Sequence, residues 1–283
     1  NFTHVLDRRP GSSSRLVTFE GFGASWSPDG RAVAFVRNRG NDVVVIVRDV
    51  STAEERSFVK SGLLSAITPQ WTADGSALLL QGRGEGIPTS FHRLDIRSGA
   101  SQVLFARDTH AGQRGIGALA PDGRTVFLAK ANEAGTAVSA IVAVDAATGA
   151  ERTVVALDAP VEAGVNAVWV SVAVSPDGRT LAVMHYTTFG NKARVFTVGV
   201  DGSGMREVVG SVDAGWVGYG STLRWAPDGQ SLIFLAFDAN RNWRIMRVPA
   251  SGGAPVPDGL DYDTLQALLP GTRLFAGNTN GFD

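Results

Sequence analysis

Pro-Asp-Gly, or a close variant of it, recurs five times along this chain at a nearly constant interval. The copies lie at residues 28–30, 73–75, 121–123, 176–178 and 227–229. Proline presets one backbone angle of a tight turn, aspartate hydrogen-bonds the turn backbone, and glycine accepts a positive φ. Such a turn roughly every 50 residues, with two or more strands in each unit, predicts a circular array of β-sheet blades.

The first complete repeat, residues 22–59, predicts four antiparallel strands. The predicted strands are residues 22–27, 31–36, 43–47 and 56–59. Residues 37–42 are polar and are predicted to form a loop, whereas the β-branched run that follows predicts a strand buried on both faces. A second turn begins at Asp49. A four-stranded sheet of this kind buries both faces only by stacking against neighbouring blades.

The later repeats follow the same order of turns and strands. Their second turns begin at Asp95, Asp145 and Asp201, and residues 249–253 take this place in the fifth repeat. Three repeats also carry a tryptophan two residues before the first turn: Trp26, Trp71 and Trp225. We expect these rings to pack between adjacent blades.

Each end of the chain predicts half of a further blade. Two strands are predicted near the N-terminus, residues 2–7 and 14–19, and two near the C-terminus, residues 263–269 and 272–276. Joining the halves would remove an open sheet edge, which is a site of aggregation. We therefore predict an all-β fold, a six-bladed β-propeller with four-stranded antiparallel blades, whose last blade is closed by two strands from each terminus.

The regular repeat predicts a single propeller domain over residues 1–283. The predicted blades are residues 22–59, 66–106, 114–156, 168–210, 220–257, and 262–283 together with 1–20.

The repeat resembles that of TolB-like propellers. The resemblance rests on residues 26–31 (WSPDGR) with 32–35 (AVAF), on residues 174–179 (VSPDGR) and on residues 225–229 (WAPDG). It implies six blades, an often periplasmic location and a role as a platform for protein interactions. Similar propellers also serve as sensor domains of bacterial membrane-bound kinases, as parts of transcriptional regulators and as gating domains of serine peptidases. The resemblance covers the propeller of the free periplasmic protein and not its additional N-terminal α/β domain.

The composition excludes several classes of protein. The formal net charge is −1, so no overall field favours nucleic acid or an anionic membrane. The chain has no cysteine, which excludes disulfides, thiolate metal sites and cysteine catalysis. No apolar run approaches the ~20 residues of a membrane span, so we expect no direct membrane insertion. Because the chain begins with Asn1, we expect a processed protein or part of a larger polypeptide.

Motifs of known chemistry are missing from the sequence. It contains no nucleophile elbow, no His-Glu-x-x-His zinc motif and no phosphate-binding loop. Residues 238–242 begin like a calcium loop but lack its later glycine and glutamate. The glycine-rich residues 82–86 are predicted to form a mobile blade loop. We therefore expect no cofactor, no bound metal and no catalytic residue.

Two of the four histidines, His4 and His92, lie in predicted third strands and are interpreted as structural. Four other side chains are nevertheless candidates for a polar site: His110, His185, Tyr262 and Asp263. They follow predicted strands or precede an inner strand, where the loops of one face could bring them together.

Aromatic and arginine side chains in the predicted loops are the stronger indication of function. Trp, Tyr and Arg are the residue types that anchor protein interfaces. The candidates are Arg37, Arg83, Arg114, Tyr186, Trp216, Tyr219 and Trp243.

The favoured hypothesis is a non-catalytic, extracytoplasmic module that binds a protein or peptide on its loop-bearing face, as a free protein or as a sensor domain. One alternative is a hydrolase or lyase with a site at the mouth of the central channel, for which His110, His185 and Asp263 are the candidates. Another is a scaffold without a ligand.

Overall fold

The structure is a computed structural model, and it describes most of the chain. The description leaves out residues 1, 8–14, 41, 61–64, 67–68, 85–86, 108–116, 133–137, 158–169, 187–191, 214–222, 227, 238–242 and 259–283.

The described residues form antiparallel sheets. A two-stranded sheet contains β1 (Phe2–Asp7) and β2 (Arg15–Glu20). Blade 1 contains β3 (Phe22–Trp26), β4 (Ala32–Arg39), β5 (Asp42–Asp49) and β6 (Glu55–Lys60). Blade 2 contains β7 (Ser65–Ala66), β8 (Gln70–Trp71), β9 (Ala77–Gly84), β10 (Ile87–Asp95) and β11 (Ser101–Arg107). Both β7 and β8 pair with β9, so they are two pieces of one inner strand position.

The remaining three blades have four strands each. Blade 3 contains β12 (Ala118–Leu119), β13 (Thr125–Ala131), β14 (Val138–Asp145) and β15 (Glu151–Ala156). Blade 4 contains β16 (Val170–Val174), β17 (Thr180–Tyr186), β18 (Ala193–Gly199) and β19 (Arg206–Val212). Blade 5 contains β20 (Arg224–Trp225), β21 (Ser231–Phe237), β22 (Trp243–Pro249) and β23 (Val256–Pro257).

These sheets belong to two compact units. The first unit, within residues 1–108, contains the two-stranded sheet with blades 1 and 2. The second unit, within residues 109–277, contains blades 3, 4 and 5.

The all-β prediction and the four-stranded antiparallel blades are confirmed, but the predicted number of six blades was wrong. The structure has five blades over its described residues. The N-terminal pair that was assigned to the sixth blade does form, with Phe2 opposite Glu20 and Asp7 opposite Arg15. It forms a sheet of two strands only, and the residues expected to complete it, 262–283, lie outside the described part of the chain. The spacing of the repeats along the sequence suggested that the two termini share a blade, but spacing alone does not identify side-chain contacts between them.

The predicted first turns form, and in each of them the turn aspartate accepts a backbone hydrogen bond. In blade 1 the Ser27 hydroxyl donates to Asp29 Oδ1 at 2.6 Å, and the same oxygen accepts the Arg31 backbone N–H at 3.0 Å. Gly30 has a φ of 69°, in the left-handed region that glycine tolerates best. Blades 2 and 4 repeat the hydroxyl bond, through Thr72 to Asp74 and Ser175 to Asp177.

The turn aspartate of blade 2 makes the folded state sensitive to acid. The Thr72 hydroxyl, the Ser76 backbone N–H and the Ser76 hydroxyl lower the pKa of Asp74 to about 2. Because this pKa is lower in the folded than in the unfolded chain, the carboxylate stabilises the fold above pH ~4, and that stabilisation is lost as the pH falls toward 2.

We expect Asp74→Asn to reduce the dependence of the unfolding free energy on pH between about 4 and 2, where the carboxylate titrates. Urea unfolding followed by circular dichroism at several pH values measures this. Asp122→Asn is the control, because Ala120 occupies the place of Thr72 and offers Asp122 no hydroxyl donor. Equal pH dependence in wild type and Asp74→Asn would contradict the prediction.

Blade 1 is buried on both faces, as its apolar runs predict. On one face of blade 1, Val33 and Phe35 are fully buried in one cluster. On its other face Ala34 and Val45 pack in a cluster with Leu78 of blade 2. The alternation of side chains along a strand sends successive residues to opposite faces.

Tryptophan and arginine side chains link adjacent blades within each unit. Trp71 Nε1 donates to the Ser25 carbonyl at 3.1 Å, and Trp225 Nε1 donates to the Ala173 carbonyl at 3.2 Å. The predicted inter-blade packing of these two rings is therefore confirmed. Three outer-strand arginines also donate to backbone carbonyls of the next blade's second turn: Arg56 to Arg97, Arg152 to Val200, and Arg206 to Ala250.

Parts of two segments predicted as loops are strand instead. Residues 37–42 were predicted as a polar loop, but β4 continues to Arg39 and β5 begins at Asp42. Residues 82–84 of the glycine-rich segment belong to β9, where Gly82 pairs with Ala66 and Ser90. Over the described ranges, no helix has the length and apolar character needed to cross a membrane.

Candidate binding surface

The two ends of each blade differ in how its strands are connected. At one end, the turn end, five residues separate the first two strands of every blade: 27–31, 72–76, 120–124, 175–179 and 226–230. The second turns at this end contain five or six residues: 50–54, 96–100, 146–150, 200–205 and 250–255. Capped turns of nearly constant length leave little freedom for variation at the turn end.

The opposite end, the loop end, has connections of very different length. Between the second and third strands lie residues 40–41, 85–86, 132–137, 187–192 and 238–242. Between the outer strand of one blade and the inner strand of the next lie residues 61–64, 108–117, 157–169 and 213–223. A β-sheet scaffold whose connections differ in length at one end is the usual arrangement of a binding surface.

Arg37 lies near the loop end, but in a strand and not in a loop. It is a residue of β4 opposite Val44 of β5. Its guanidinium forms an ion pair with Glu55 at 3.2 Å and donates from Nε to the Glu20 carbonyl at 2.9 Å. It also lies over the ring of Phe35, 5.4 Å from its centroid. The side chain is thus held by contacts inside the first unit, and the structure corrects the prediction that Arg37 lies in a loop.

Blades 3 and 4 have a comparable ion pair between a basic side chain of the second or third strand and a glutamate of the outer strand. Lys130 Nζ of blade 3 lies 2.6 Å from Glu151 Oε1. Arg194 of blade 4 pairs with Glu207 and lies over the Phe196 ring, 5.2 Å from its centroid. Sequence reasoning missed these pairs because their partners are 13 to 21 residues apart. The signal available was a glutamate at or near the start of each of these outer strands.

His185 was predicted to follow its strand, and the structure corrects this. It is the penultimate residue of β17, opposite Arg194 of β18 and Val170 of β16. Its side chain is only 4% exposed. Burial, and next the positive charge of Arg194, lower the pKa of His185 to about 4, so the ring is neutral at physiological pH.

Three further candidates are strand residues at the loop end. Arg83 lies in β9 opposite Ser65, Tyr186 ends β17, and Trp243 begins β22 opposite Phe237. The structure therefore corrects the expectation that Tyr186 lies in a loop. The other candidates lie outside the described residues: His110, Arg114, Trp216, Tyr219, Tyr262 and Asp263.

The described residues bring no acidic or histidine side chains together as a metal site. Among them, no group of three or more His, Asp or Glu side chains is placed to hold an ion. Asp258, which precedes the predicted acidic segment, forms an ion pair with Arg247, with Nε and Oδ1 3.1 Å apart. His92, predicted as structural, is buried with Nε2 2.7 Å from the Ser90 hydroxyl.

The fold is similar to solved structures of TolB. TolB from Acinetobacter baumannii has a TM-score of 0.61 and 16% identity, over 86% of this chain and 56% of that one. Putative TolB from Agrobacterium tumefaciens has a TM-score of 0.63 and 16% identity, over 87% of this chain and 83% of that one. The chain thus spans little more than half of the Acinetobacter protein. The predicted resemblance to TolB-like propellers is confirmed at the level of the fold.

Enzymes share this fold as well. An oligogalacturonate lyase in complex with manganese matches with a TM-score of 0.62 and 16% identity, over 86% of this chain and 67% of that one. No protein-family model and no curated protein matches the chain. Similarity at this level of identity defines a TolB-like propeller fold and leaves the activity to be argued from the site.

Proposed function

We propose that this protein is a non-catalytic, extracytoplasmic module that binds a protein or peptide at its loop end. The observation that carries the proposal is the contrast between the two blade ends. All first turns have five residues, whereas the loop-end connections contain between two and thirteen residues. Variation confined to one end of a rigid scaffold favours recognition by that end.

The blades of each unit are held together by contacts that resist a change of shape when a partner binds. Side-chain oxygens of the turn aspartates accept backbone N–H groups in all five blades. Indole and guanidinium bonds then fix neighbouring blades within each unit. A preorganised surface loses little conformational entropy on binding, which favours affinity for a protein partner.

Charges of both signs are exposed at the described part of the loop end. Arg39 and Asp42 flank the β4–β5 connection and are exposed. Lys192 pairs with Asp213 at 3.1 Å, with about half of each side chain exposed. A mixed surface without a dominant sign suits the polar rim of a protein interface better than a polyanion. The extracytoplasmic location rests on the family resemblance of the repeat.

Site-specific photo-crosslinking tests the proposal. The chain has no cysteine, so a single introduced cysteine can carry a benzophenone label. Asn38→Cys places the label at the loop end of blade 1, and Glu54→Cys places it at the turn end of the same blade. In an extract of the native cell envelope, we expect Asn38→Cys to form a protein or peptide adduct that excess unlabelled protein suppresses.

Glu54→Cys is the matched control, because both positions are exposed and belong to one blade. Equal labelling from both ends, or adducts that unlabelled protein does not suppress, would refute loop-end recognition.

A further inference from the structure

One face of blade 4 packs against blade 3, and His185 lies on that face near the loop end. Leu181 and Val183 belong to the apolar cluster that joins the two blades, and His185 follows them on β17 at the same spacing of two residues. Val170, directly opposite His185 on β16, belongs to the same cluster. Because alternate residues of a strand share one face, the imidazole lies at the loop-end edge of this apolar layer.

The surroundings of the imidazole suit a neutral ring better than a charged one. The side chain is almost completely buried. Its Nε2 atom has no hydrogen-bond partner within the described part of the chain. A neutral imidazole has one N–H donor and an imidazolium has two, and a buried donor without an acceptor is costly. Protonation therefore adds a charge and a donor where neither is well accommodated.

The charged groups on this face of blade 4 oppose protonation as well. Arg194 lies directly opposite His185 on β18. Glu207 of the outer strand lies on the same face, opposite Phe196, but its carboxylate is paired with Arg194. The nearest cation is thus held beside the ring, while the carboxylate that could balance an imidazolium is already in use.

The other charged groups near this interface are engaged elsewhere. Lys192 and Asp213, just outside β18 and β19, pair with each other at 3.1 Å. On blade 3, Arg152 donates to a backbone carbonyl in the second turn of blade 4, and Lys130 is paired with Glu151. β16 contains no titratable residue. Among the described groups, Arg194 is therefore the charge that bears most directly on His185.

These contacts determine the direction of the pH dependence. Burial, and next the charge of Arg194, lower the pKa of His185 from 6.5 to about 4. A ring exposed by local opening regains the higher value, so protons favour the open form. The stabilisation of the closed form is complete above pH ~6.5 and is lost as the pH falls toward 4. Within this range, each unit of pH raises the ratio of open to closed forms about tenfold.

We propose that His185 makes the loop end of blade 4 an acid-opened element, in which protonation of the ring releases the ends of β17 and β18 from blade 3. The neutral ring packs as part of the apolar layer. The imidazolium gains water and distance from Arg194 when it leaves that layer. This response to acid goes beyond the proposed loop-end recognition and does not depend on it.

Amide hydrogen exchange of the whole chain, followed by NMR between pH 6.5 and 4.5, tests the proposal. For residues 184–186 and 193–195, we expect protection factors, corrected for the intrinsic exchange rate, to fall about tenfold per pH unit over the lower part of this range. Amides of β21 and β22 are the internal control, because those strands belong to the same unit and contain no histidine. Their protection should change little.

Two variants and one control assign the effect to His185. His185→Leu removes the titrating group, and protection at residues 184–186 and 193–195 should then be independent of pH. Arg194→Gln removes the opposing cation and leaves Glu207 unpaired, so the pKa of His185, measured from its ring resonances, should rise and the loss of protection should become smaller. Lys192→Gln removes a cation that does not lie opposite the ring, and should behave as wild type.

The proposal is overturned if His185→Leu keeps the wild-type pH dependence, or if protection in wild type does not change with pH. It is also overturned if blade 5 loses protection equally, because the whole unit would then open. Should His185→Leu fail to fold, Arg194→Gln decides the outcome, since it changes a partly exposed side chain outside the apolar cluster. An unchanged His185 pKa in that variant would contradict the proposal.

Discussion

Gly202→Ala is expected to destabilise the second unit by roughly 3 kcal/mol or more, from backbone strain and a steric clash together. Gly202 lies in the second turn of blade 4 with a φ of 91°, which L-residues rarely adopt. A Cβ there would lie 2.3 Å from the Val154 carbonyl oxygen, which belongs to the outer strand of blade 3. Because this neighbour is backbone, no side-chain rotation can relieve the contact.

The matched control is Gly204→Ala in the same turn. Gly204 also has a positive φ, 62°, but a Cβ there would meet no atom within 4 Å. Ala53 of blade 1 already adopts a φ of 62°, so alanine is tolerated in this conformation at a cost of about 1 kcal/mol. Urea unfolding followed by circular dichroism should therefore separate the two variants by roughly 2 kcal/mol. Equal losses would mean that strain alone, and not the approach of blade 3, sets the cost.

The features that the sequence predicted well depend on local chemistry. Gly30 and Asp29 define their turn within five residues, because the carboxylate binds the Ser27 hydroxyl and the Arg31 N–H. The apolar alternation around Phe35 likewise predicts a strand buried on both faces, and the structure places its neighbours in separate clusters. Such signals need no knowledge of distant residues.

The features that it predicted poorly depend on partners far along the chain. Arg37 reads locally as a loop residue, but Glu55 and the Glu20 carbonyl make it a fixed strand residue. His185 follows an apolar run and reads as exposed, yet it is 4% exposed beside Arg194. The sixth blade failed for the same reason, since its predicted halves are separated by nearly the whole chain.

The absence from blade 2 of an ion pair like that of Lys130 and Glu151 is visible in the sequence only when the blades are aligned with one another. Taken alone, Gly82 suggests a flexible loop and Ser101 an unremarkable surface residue. Compared with Lys130 and Glu151 of blade 3, the same two residues mark a blade from which a cation and its carboxylate are missing. In a repeat protein, comparing the repeats thus shows which side-chain contacts differ from one blade to another.

Trp225→Ala is expected to destabilise the second unit by about 3 kcal/mol, the lower end of the range for tryptophan because the ring is only half-buried. Trp225 packs on the cluster that contains Leu232 and Phe234, and its Nε1 donates to the Ala173 carbonyl of blade 4 at 3.2 Å. Trp225→Phe retains most of the packing and removes the hydrogen bond, so a loss of about 1 kcal/mol is expected.

Val174→Ala is the matched control for the tryptophan. Val174 occupies the equivalent place in blade 4, three residues before the turn aspartate, and is also half-buried, so its truncation should cost about 1 kcal/mol. Urea unfolding of the three variants, followed by circular dichroism, measures the differences. If Trp225→Ala costs no more than Val174→Ala, the indole fills space at the blade junction without linking the blades. If Trp225→Phe costs as much as Trp225→Ala, the bond to the Ala173 carbonyl, and not the packing of the ring, holds blades 4 and 5 together.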